Sequence, residues 1–336
     1  MSNALYFPKI SIPETPWTLQ TLLYWNKIGT IVPSEFLENP YNLSPFMRSL
    51  VQEEMVEQII PGQYIRESSF GDAFLAFIDN NNEIKRIAEK DKLRNTQRYI
   101  QIHLEKLSYV GEELIKRKLA WRGENNWFLV EETVGLRFMS YLAMVLGTKA
   151  NFTPITDSYM NISSIISDTQ RPRKAEQHFN RSKIRKRILK NILPTPIEVN
   201  HPLEILRFKE KYSDQLFNFR RYIEDFILEL ELIPEDSLEQ KVSAFEERVA
   251  YEKEELSNRM RDRSWITLDF ATLCAICPST YQLFEGFASH DYGKVAQSIP
   301  GVIGPVWAAT QLKKNEHPNS PLAYAVILEG KFNARK

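Results

Sequence analysis

Glycine and cysteine are both scarce in this chain. Its 336 residues include only 12 glycines and 2 cysteines. Few glycines disfavour a cofactor site lined by glycine backbone, and the sequence contains no GxxxxGK[ST], GxGxxG or GxSxG motif. The NTPase, dinucleotide-binding and hydrolase classes are therefore disfavoured, and no bound cofactor is expected. Two cysteines cannot make a disulfide framework, so the composition is typical of a protein from a reducing cytosol.

The chain also lacks an excess of charge of either sign. Lysine and arginine together number 43, as do aspartate and glutamate, so the net charge is zero. Global charge therefore favours neither a nucleic-acid partner nor a membrane partner. The first residues contain no apolar segment behind a basic start, so no signal peptide is predicted and a cytoplasmic location is expected.

Short apolar strands alternate with helices over residues 5–157. Residues 5–10 and 28–32 are predicted strands, joined by a helix that begins at Pro16 after the N-cap Thr15. Further strands are predicted near residues 100–104, 127–130 and 151–156. The alternation predicts an α/β domain over residues 1–160, with one mixed or mostly parallel sheet that contains the first two strands in parallel.

Two predicted helices of this domain have clear start or stop signals. One begins at Ser44-Pro45 and is expected to continue to Pro61-Gly62, carrying Ile59 on its apolar side. The other covers residues 133–146 and is expected to end at Gly147.

Residues 161–200 form a predicted connecting segment with a strong basic run. Residues 171–190 contain nine basic residues and one acidic residue, Glu176. Such a run can neutralise phosphates, so it predicts a nucleic-acid contact. The candidate residues are Arg181, Lys183, Arg185, Lys186, Arg187 and Lys190. The alternative is internal pairing, because residues 224–256 contain twelve acidic residues and three basic ones.

Residues 201–263 carry the longest periodic apolar pattern. Spacings of three and four residues place each of two apolar stripes on one side of a helix. The stripes are Leu216, Phe219, Ile223, Phe226, Leu230 and Ile233, then Leu238, Val242, Phe245, Val249, Leu256 and Met260. Pro234 separates them, which predicts a long antiparallel helical hairpin. Six further apolar residues lie off the first stripe: Phe208, Phe217, Tyr222, Ile227, Leu228 and Leu232. These must be covered by residues 264–336 or by a second copy, so the hairpin predicts a protein partner or a homo-oligomer.

Residues 264–336 are predicted to be an apolar helical region that packs on the rest of the chain. The uncharged stretches 270–284 and 295–312 are too short, or too rich in proline and glycine, for a membrane span. A buried layer is expected, and a membrane-acting hairpin is the alternative. Cys274 and Cys277 are interpreted as core thiols, and a last helix is predicted over residues 321–332.

Acidic residues at predicted strand ends are the candidates for catalysis. Asp157 closes the last predicted strand, and Glu131 and Glu132 follow another. Open α/β sheets bind ligands beyond the carboxyl ends of their strands, so these acids could hold Mg²⁺ in a metal-dependent nuclease. The alternative assigns them to a turn and to the first turn of a helix. No metal is expected outside the nuclease alternative, because the five histidines are isolated in sequence.

Several short sequences resemble a bacterial family catalogued as a domain of unknown function. They begin with Leu5-Tyr6-Phe7-Pro8, Trp17, Leu22-Leu23-Tyr24-Trp25 and Ile31-Val32-Pro33. Later ones are Pro154-Ile155-Thr156-Asp157, Leu193-Pro194-Thr195-Pro196, Arg207-Phe208-Lys209, Phe219-Arg220 and Ser320-Pro321-Leu322-Ala323-Tyr324. The resemblance implies one shared architecture and a role in a multi-component phage-defence or stress module. It implies no activity and no catalytic residues.

The expected function is therefore an interaction or scaffold component of a bacterial multi-protein module. A nucleic-acid-binding or nuclease-like enzyme and a membrane-acting effector are the alternatives, and the sequence leaves open whether the chain is an enzyme.

Overall fold

The computed structural model describes residues 3–65, 69–90, 98–157, 173–196, 201–230, 233–262 and 320–332. Its strands are β1 (Asn3–Tyr6), β2 (Ile28–Ile31), β3 (Val56–Ile59), β4 (Tyr99–His103), β5 (Ala120–Arg122), β6 (Trp127–Glu131) and β7 (Phe152–Ile155). The helices of the first half are α1 (Pro16–Tyr24), α2 (Glu35–Glu38), α3 (Pro45–Gln52), α4 (Asp72–Asn80), α5 (Asn82–Lys90), α6 (Leu104–Leu107), α7 (Val110–Lys116) and α8 (Glu132–Ala150). Those of the second half are α9 (Arg173–Ile192), α10 (Pro202–Lys211), α11 (Ser213–Glu229), α12 (Glu235–Asp262) and α13 (Ala323–Lys331).

Four parallel strands form the sheet at the centre of the α/β region, in the order β3-β2-β1-β7. Leu5 of β1 pairs with Gly29 of β2 and with Pro154 of β7. The predicted parallel pairing of the first two strands is confirmed. Alternate residues face opposite cores, because Ala4 and Tyr6 belong to one apolar cluster and Leu5 and Phe7 to the other. Helices cover both faces of such a sheet, which explains why β2 is buried along its whole length.

The prediction of a single sheet over residues 5–157 is wrong. Strands β4, β6 and β5 form a separate antiparallel sheet. The reason is the short connection between β5 and β6, where Asn125 and Asn126 both adopt positive φ angles, of 50° and 65°. A tight turn of this kind joins neighbouring antiparallel strands, whereas parallel strands need a longer crossover.

Two predicted helix ends are also wrong. Helix α3 ends at Gln52, and Ile59 lies in the separate strand β3. A left-handed residue, Glu54 with φ 53°, separates the two elements. Helix α8 continues past Gly147 to Ala150, and the left-handed Asn151 caps it. Glycine is required at position 147, inside the helix, because a Cβ there would come within 2.7 Å of the Phe152 carbonyl oxygen.

The helices of the second half pack on one face of the parallel sheet and on each other. Helix α9 contacts both α11 and α12, and α13 also contacts both. The predicted apolar stripe of α11 is buried, and Phe226 stacks on Phe245 of α12 with ring centroids 3.7 Å apart. Tyr324 of α13 lies 5.4 Å from Phe208 and 5.9 Å from Phe219, ring to ring. The end of the same chain therefore covers part of the apolar surface of residues 201–263.

Three predictions fall outside the described residues. They are the thiol pair Cys274 and Cys277, the uncharged stretches within residues 264–312, and the burial of Leu232.

Candidate functional site at the carboxyl edge of the parallel sheet

The strand order of the parallel sheet reverses between β1 and β7. From β1 the chain proceeds to β2 and β3 on one side, whereas β7 joins on the other side. In open α/β sheets, ligands bind in the crevice that such a reversal creates beyond the carboxyl ends of the strands. Tyr6 is the last residue of β1, and Asp157 follows β7 by two residues. The predicted candidate Asp157 therefore lies at the position where this rule places a ligand.

Tyr6 and Asp157 are joined by a hydrogen bond at this reversal. The Tyr6 hydroxyl donates to Asp157 Oδ1 over 3.1 Å. Burial, and then the charge of Asp157, raise the pKa of Tyr6 far above its usual value, so the phenol keeps its proton. The ring of Trp17, in the first turn of α1, lies 5.7 Å from the Tyr6 ring. Asp157 is thus held in place by a neutral donor in an aromatic setting.

Lys186 brings a positive charge close to the same carboxylate. Its Nζ donates to the Thr156 carbonyl oxygen over 3.0 Å. Burial lowers the pKa of Lys186, and the charge of Asp157 opposes that shift. A phenol, a carboxylate and an amine therefore meet at the switch point of the sheet, an arrangement that can bind polar ligand groups or move a proton.

Glu131 and Glu132 do not join Asp157. They lie at the junction of β6 and α8, in the antiparallel sheet region. Glu131 Oε2 accepts the Val134 N–H over 2.9 Å and so caps α8, while Glu132 stands in the first turn of that helix. In the described parts of the chain, no group of three or more His, Cys, Asp or Glu residues could hold a metal ion. The Mg²⁺ prediction therefore depends on Asp157 alone.

The basic run forms helix α9, and its centre is paired internally. Arg185 binds Glu224 of α11 through two hydrogen bonds of 2.6 Å. Arg187 binds Glu239 over 2.5 Å and Glu246 over 3.0 Å, both on α12. The predicted alternative of internal pairing is confirmed for these two arginines, which were also candidates for phosphate contacts.

The other candidates of the run have different surroundings. Lys183 and Lys190 are exposed on α9. Arg181 is half-buried, and its charge helps to lower the pKa of Glu224. Nucleic-acid binding stays a prediction, with Lys183 and Lys190 as the residues best placed for it.

Helix α11 presents apolar side chains on its outer face. Phe217 is 58% exposed and Leu228 is 49% exposed. Arg221 and Asp225 lie between them on the same side of the helix and form an ion pair of 3.6 Å. Of the other apolar residues off the predicted stripe, Phe208 and Ile227 are buried and Tyr222 is half-buried. Of these off-stripe residues, Phe217 and Leu228 are therefore the ones that the described part of the chain leaves exposed.

Sequence reasoning missed the partners of Asp157. The sequence pattern assigns Tyr6 only to a strand, and Lys186 only to a basic run. Their meeting depends on β7 lying beside β1, which no local pattern indicates. The ends of the predicted parallel strands are the signal that could have found these partners. Polar residues at the carboxyl ends of parallel strands lie at the same edge of the sheet in any strand order.

Comparison with protein-family models, with curated proteins and with solved structures finds no match to this chain. The resemblance seen in the sequence therefore stays a prediction. In the described ranges, no helix is long and apolar enough to cross a membrane.

Proposed function

We propose that the chain is an interaction component of a bacterial multi-protein module and that it self-associates through the outer face of α11. This face consists of Phe217, Arg221, Asp225 and Leu228. The proposal keeps the predicted antiparallel hairpin, residues 201–263, as the interaction unit. Stacking of Phe226 on Phe245 and the nearby contact of Tyr222 with Phe245 support that pairing of the two helices.

The observation that carries the proposal is the order of residues on this face. Both ends are apolar and exposed, and the two central residues have opposite charges. When two copies of α11 pack antiparallel about a twofold axis, Phe217 lies opposite Leu228 of the second copy. The same operation places Arg221 opposite Asp225 of the second copy. A surface that is complementary to itself in this way is what an isologous dimer requires.

Light scattering coupled to size-exclusion chromatography tests the proposal at micromolar concentration. We expect a dimer for the wild type and folded monomers for Phe217→Glu combined with Leu228→Glu. The matched control is Tyr41→Glu, because Tyr41 is even more exposed but lies far along the chain in another element. A wild-type monomer, or a dimer that survives the double change, would overturn the proposal.

A charge exchange tests the twofold geometry itself. Arg221→Asp alone places like charges opposite each other and should weaken the dimer. Adding Asp225→Arg restores opposite charges across the axis and should restore the dimer. If the double exchange is as weak as the single change, the copies do not meet in this register.

A second candidate function is nucleic-acid processing at Asp157, favoured by its hydrogen bond to Tyr6 at the switch point of the sheet. The test is cleavage of labelled single-stranded and duplex DNA and RNA with ~5 mM MgCl₂, a concentration in excess for a weak Mg²⁺ site. Asp157→Asn should abolish cleavage, and Glu124→Gln, an exposed acid in the β5–β6 turn, should not. Cleavage that persists in Asp157→Asn would exclude this site.

A further inference from the structure

One fully buried hydrogen-bond donor, His103 Nε2, lies beside helix α6 without an acceptor among the described residues, and the Lys106 amine on the same turn has no acceptor among them. His103, the N-cap of α6, and Lys106 are each only 3% exposed. Helix α6 packs against the turn Pro61–Gln63, which follows the carboxyl end of β3. The residue between the two donors, Glu105, accepts hydrogen bonds from the backbone N–H and the hydroxyl of Ser34, beyond β2. The pair therefore lies at the same edge of the parallel sheet as Asp157, but beside β2 and β3.

The hydrogen bonds of His103 fix which nitrogen carries its proton. Nδ1 accepts the Glu105 N–H over 3.3 Å, so Nε2 is the N–H donor of the neutral ring. Nε2 is buried and has no partner in the described part of the chain. Burial lowers the pKa of His103, and so does the charge of Lys106, while Glu35 and Glu105 act in the opposite direction. The ring packs edge-on against Trp127, with centroids 5.2 Å apart.

Lys106 has a buried amine whose charge no described carboxylate compensates. Burial alone lowers its pKa to about 7. Native structures rarely leave a buried donor such as His103 Nε2 unsatisfied, because it has given up its hydrogen bonds to water. Perturbed titratable groups at a sheet edge are also typical of ligand sites.

We propose that His103 and Lys106 bind the carboxylate of a small monoanionic ligand beside the carboxyl ends of β2 and β3. Two donors match the two oxygens of a carboxylate. A single charge is favoured over a phosphate dianion because Glu35 and Glu105 are close enough to act on His103. Binding brings a negative charge to two neutral groups, so it should be coupled to proton uptake.

Calorimetric titration with sodium acetate tests the proposal, using the full chain at pH 7.5 and sodium chloride as the control for ionic strength. We expect saturable binding that is at least about tenfold weaker in Lys106→Met and in His103→Asn, since each loses a charge-assisted hydrogen bond. Asparagine at position 103 keeps an acceptor for the helix cap. Lys85→Met, which removes an exposed lysine on α5, should bind acetate like the wild type.

Proton uptake gives a second measurement. The apparent binding heat should differ between Tris and HEPES buffers in proportion to their ionisation heats, and this difference should shrink in Lys106→Met. Inorganic phosphate should bind more weakly than acetate. The proposal is overturned by the absence of saturable heat up to ~50 mM acetate, far above the range of a specific site. Equal binding by the wild type and Lys106→Met, which removes a buried amine and should stay folded, also overturns it.

Discussion

Arg185 donates two hydrogen bonds of 2.6 Å to the carboxylate of Glu224, and the Tyr24 hydroxyl donates a third over 2.8 Å. Arg185 is 7% exposed, and its guanidinium lies over the Trp25 ring. Helices α1, α9 and α11 therefore meet at the ion pair between Arg185 and Glu224. Two parallel hydrogen bonds give this pair its geometry, and a lysine in place of Arg185 could not reproduce it.

Arg185→Met should destabilise the protein by about 1.5–3 kcal/mol, because it leaves the half-buried Glu224 without its charged hydrogen-bond donor. Arg185→Met combined with Glu224→Met should cost less than Arg185→Met alone. Urea unfolding measures both free energies, and Lys183→Met on the exposed side of α9 is the control. A double variant as unstable as the sum of the two single variants would show that the ion pair does not couple these residues.

The stacked rings of Phe226 and Phe245 predict a second difference in stability. Phe226→Ala removes a buried ring and should cost about 3–5 kcal/mol. Phe217→Ala, on the outer face of the same helix, should cost no more than about 0.5 kcal/mol in the monomer. Both are measured by urea unfolding at a concentration below dimer formation. Equal losses would mean that the burial of the two faces of α11 is wrongly assigned.

The parallel sheet predicts a third difference, between two glycines. A Cβ at Gly29 would come within 2.7 Å of Ile59 Cδ1 and 2.9 Å of Phe152 Cε1, so Gly29→Ala should destabilise by about 1–3 kcal/mol. A Cβ at Gly62, just beyond β3, would meet no described atom within 4 Å, so Gly62→Ala serves as the control. If Gly29→Ala is tolerated as well as Gly62→Ala, the side chains of Ile59 and Phe152 do not pack over Gly29 as described.

The local parts of the fold could be predicted from the sequence, because they depend on short-range patterns. The stripe of Phe219 and Phe226 follows from helical spacing alone, and the pairing of β1 with β2 follows from one crossover helix. In the sheet, β1 also pairs with β7. In sequence, these two strands stand at opposite ends of the α/β region, so no local pattern predicts that they pair. The second sheet was missed because its turn at Asn125 and Asn126 was not recognised.

The same contrast applies to the candidate site. Asp157 was identified because a strand end is visible in sequence, but Tyr6 and Lys186 were not assigned to it.

Several residues that carry the family resemblance also meet in space, around the end of α1. Lys209 Nζ donates to the Trp25 carbonyl over 2.6 Å, Arg220 donates to the Tyr24 carbonyl, and the Tyr324 hydroxyl donates to the Leu23 carbonyl over 2.8 Å. These residues satisfy backbone carbonyls at a helix end, which is a structural role.

The pairing within α9 changes how nucleic-acid binding should be tested. Changing Arg185, Lys186 and Arg187 together to Glu should unfold the protein, because it places acids against Glu224 and Glu246. Lys183→Glu with Lys190→Glu changes the exposed side only and should leave stability within about 0.5 kcal/mol. If α9 contacts nucleic acid, the wild type should bind duplex with salt-sensitive affinity at ~0.15 M salt, measured by fluorescence anisotropy, and this pair of changes should abolish the binding. No binding by the wild type, or binding that survives the pair, would contradict the nucleic-acid prediction for α9.

Lys106 and Lys209 give the sharpest prediction about pH. Burial lowers the pKa of both lysines to about 7. Among the described residues, the Lys209 amine has hydrogen-bond acceptors and the Lys106 amine has none. Above pH 7 and below its ordinary pKa, each lysine holds a proton in the unfolded chain that the folded chain has released. The free energy of unfolding therefore rises with pH across this window, and each lysine penalises folding fully below pH 7. Lys106→Met removes one such penalty and should stabilise the protein at pH 7, by at most about 4 kcal/mol for a shift of this size.

The advantage of Lys106→Met should shrink by up to about 3 kcal/mol between pH 7 and pH 9.5, because the penalty on the wild-type lysine falls as the pH approaches its pKa in the unfolded chain. Lys209→Met should gain less than Lys106→Met, because it also leaves the buried carbonyls of Trp25 and Asn26 without a donor, which costs about 1–3 kcal/mol. Urea unfolding at pH 7, 8 and 9.5 measures both variants against the wild type. A pH-independent gain for Lys106→Met would show that its amine is not the titrating group, and an equal gain for both variants would show that the carbonyl partners of Lys209 do not depend on it.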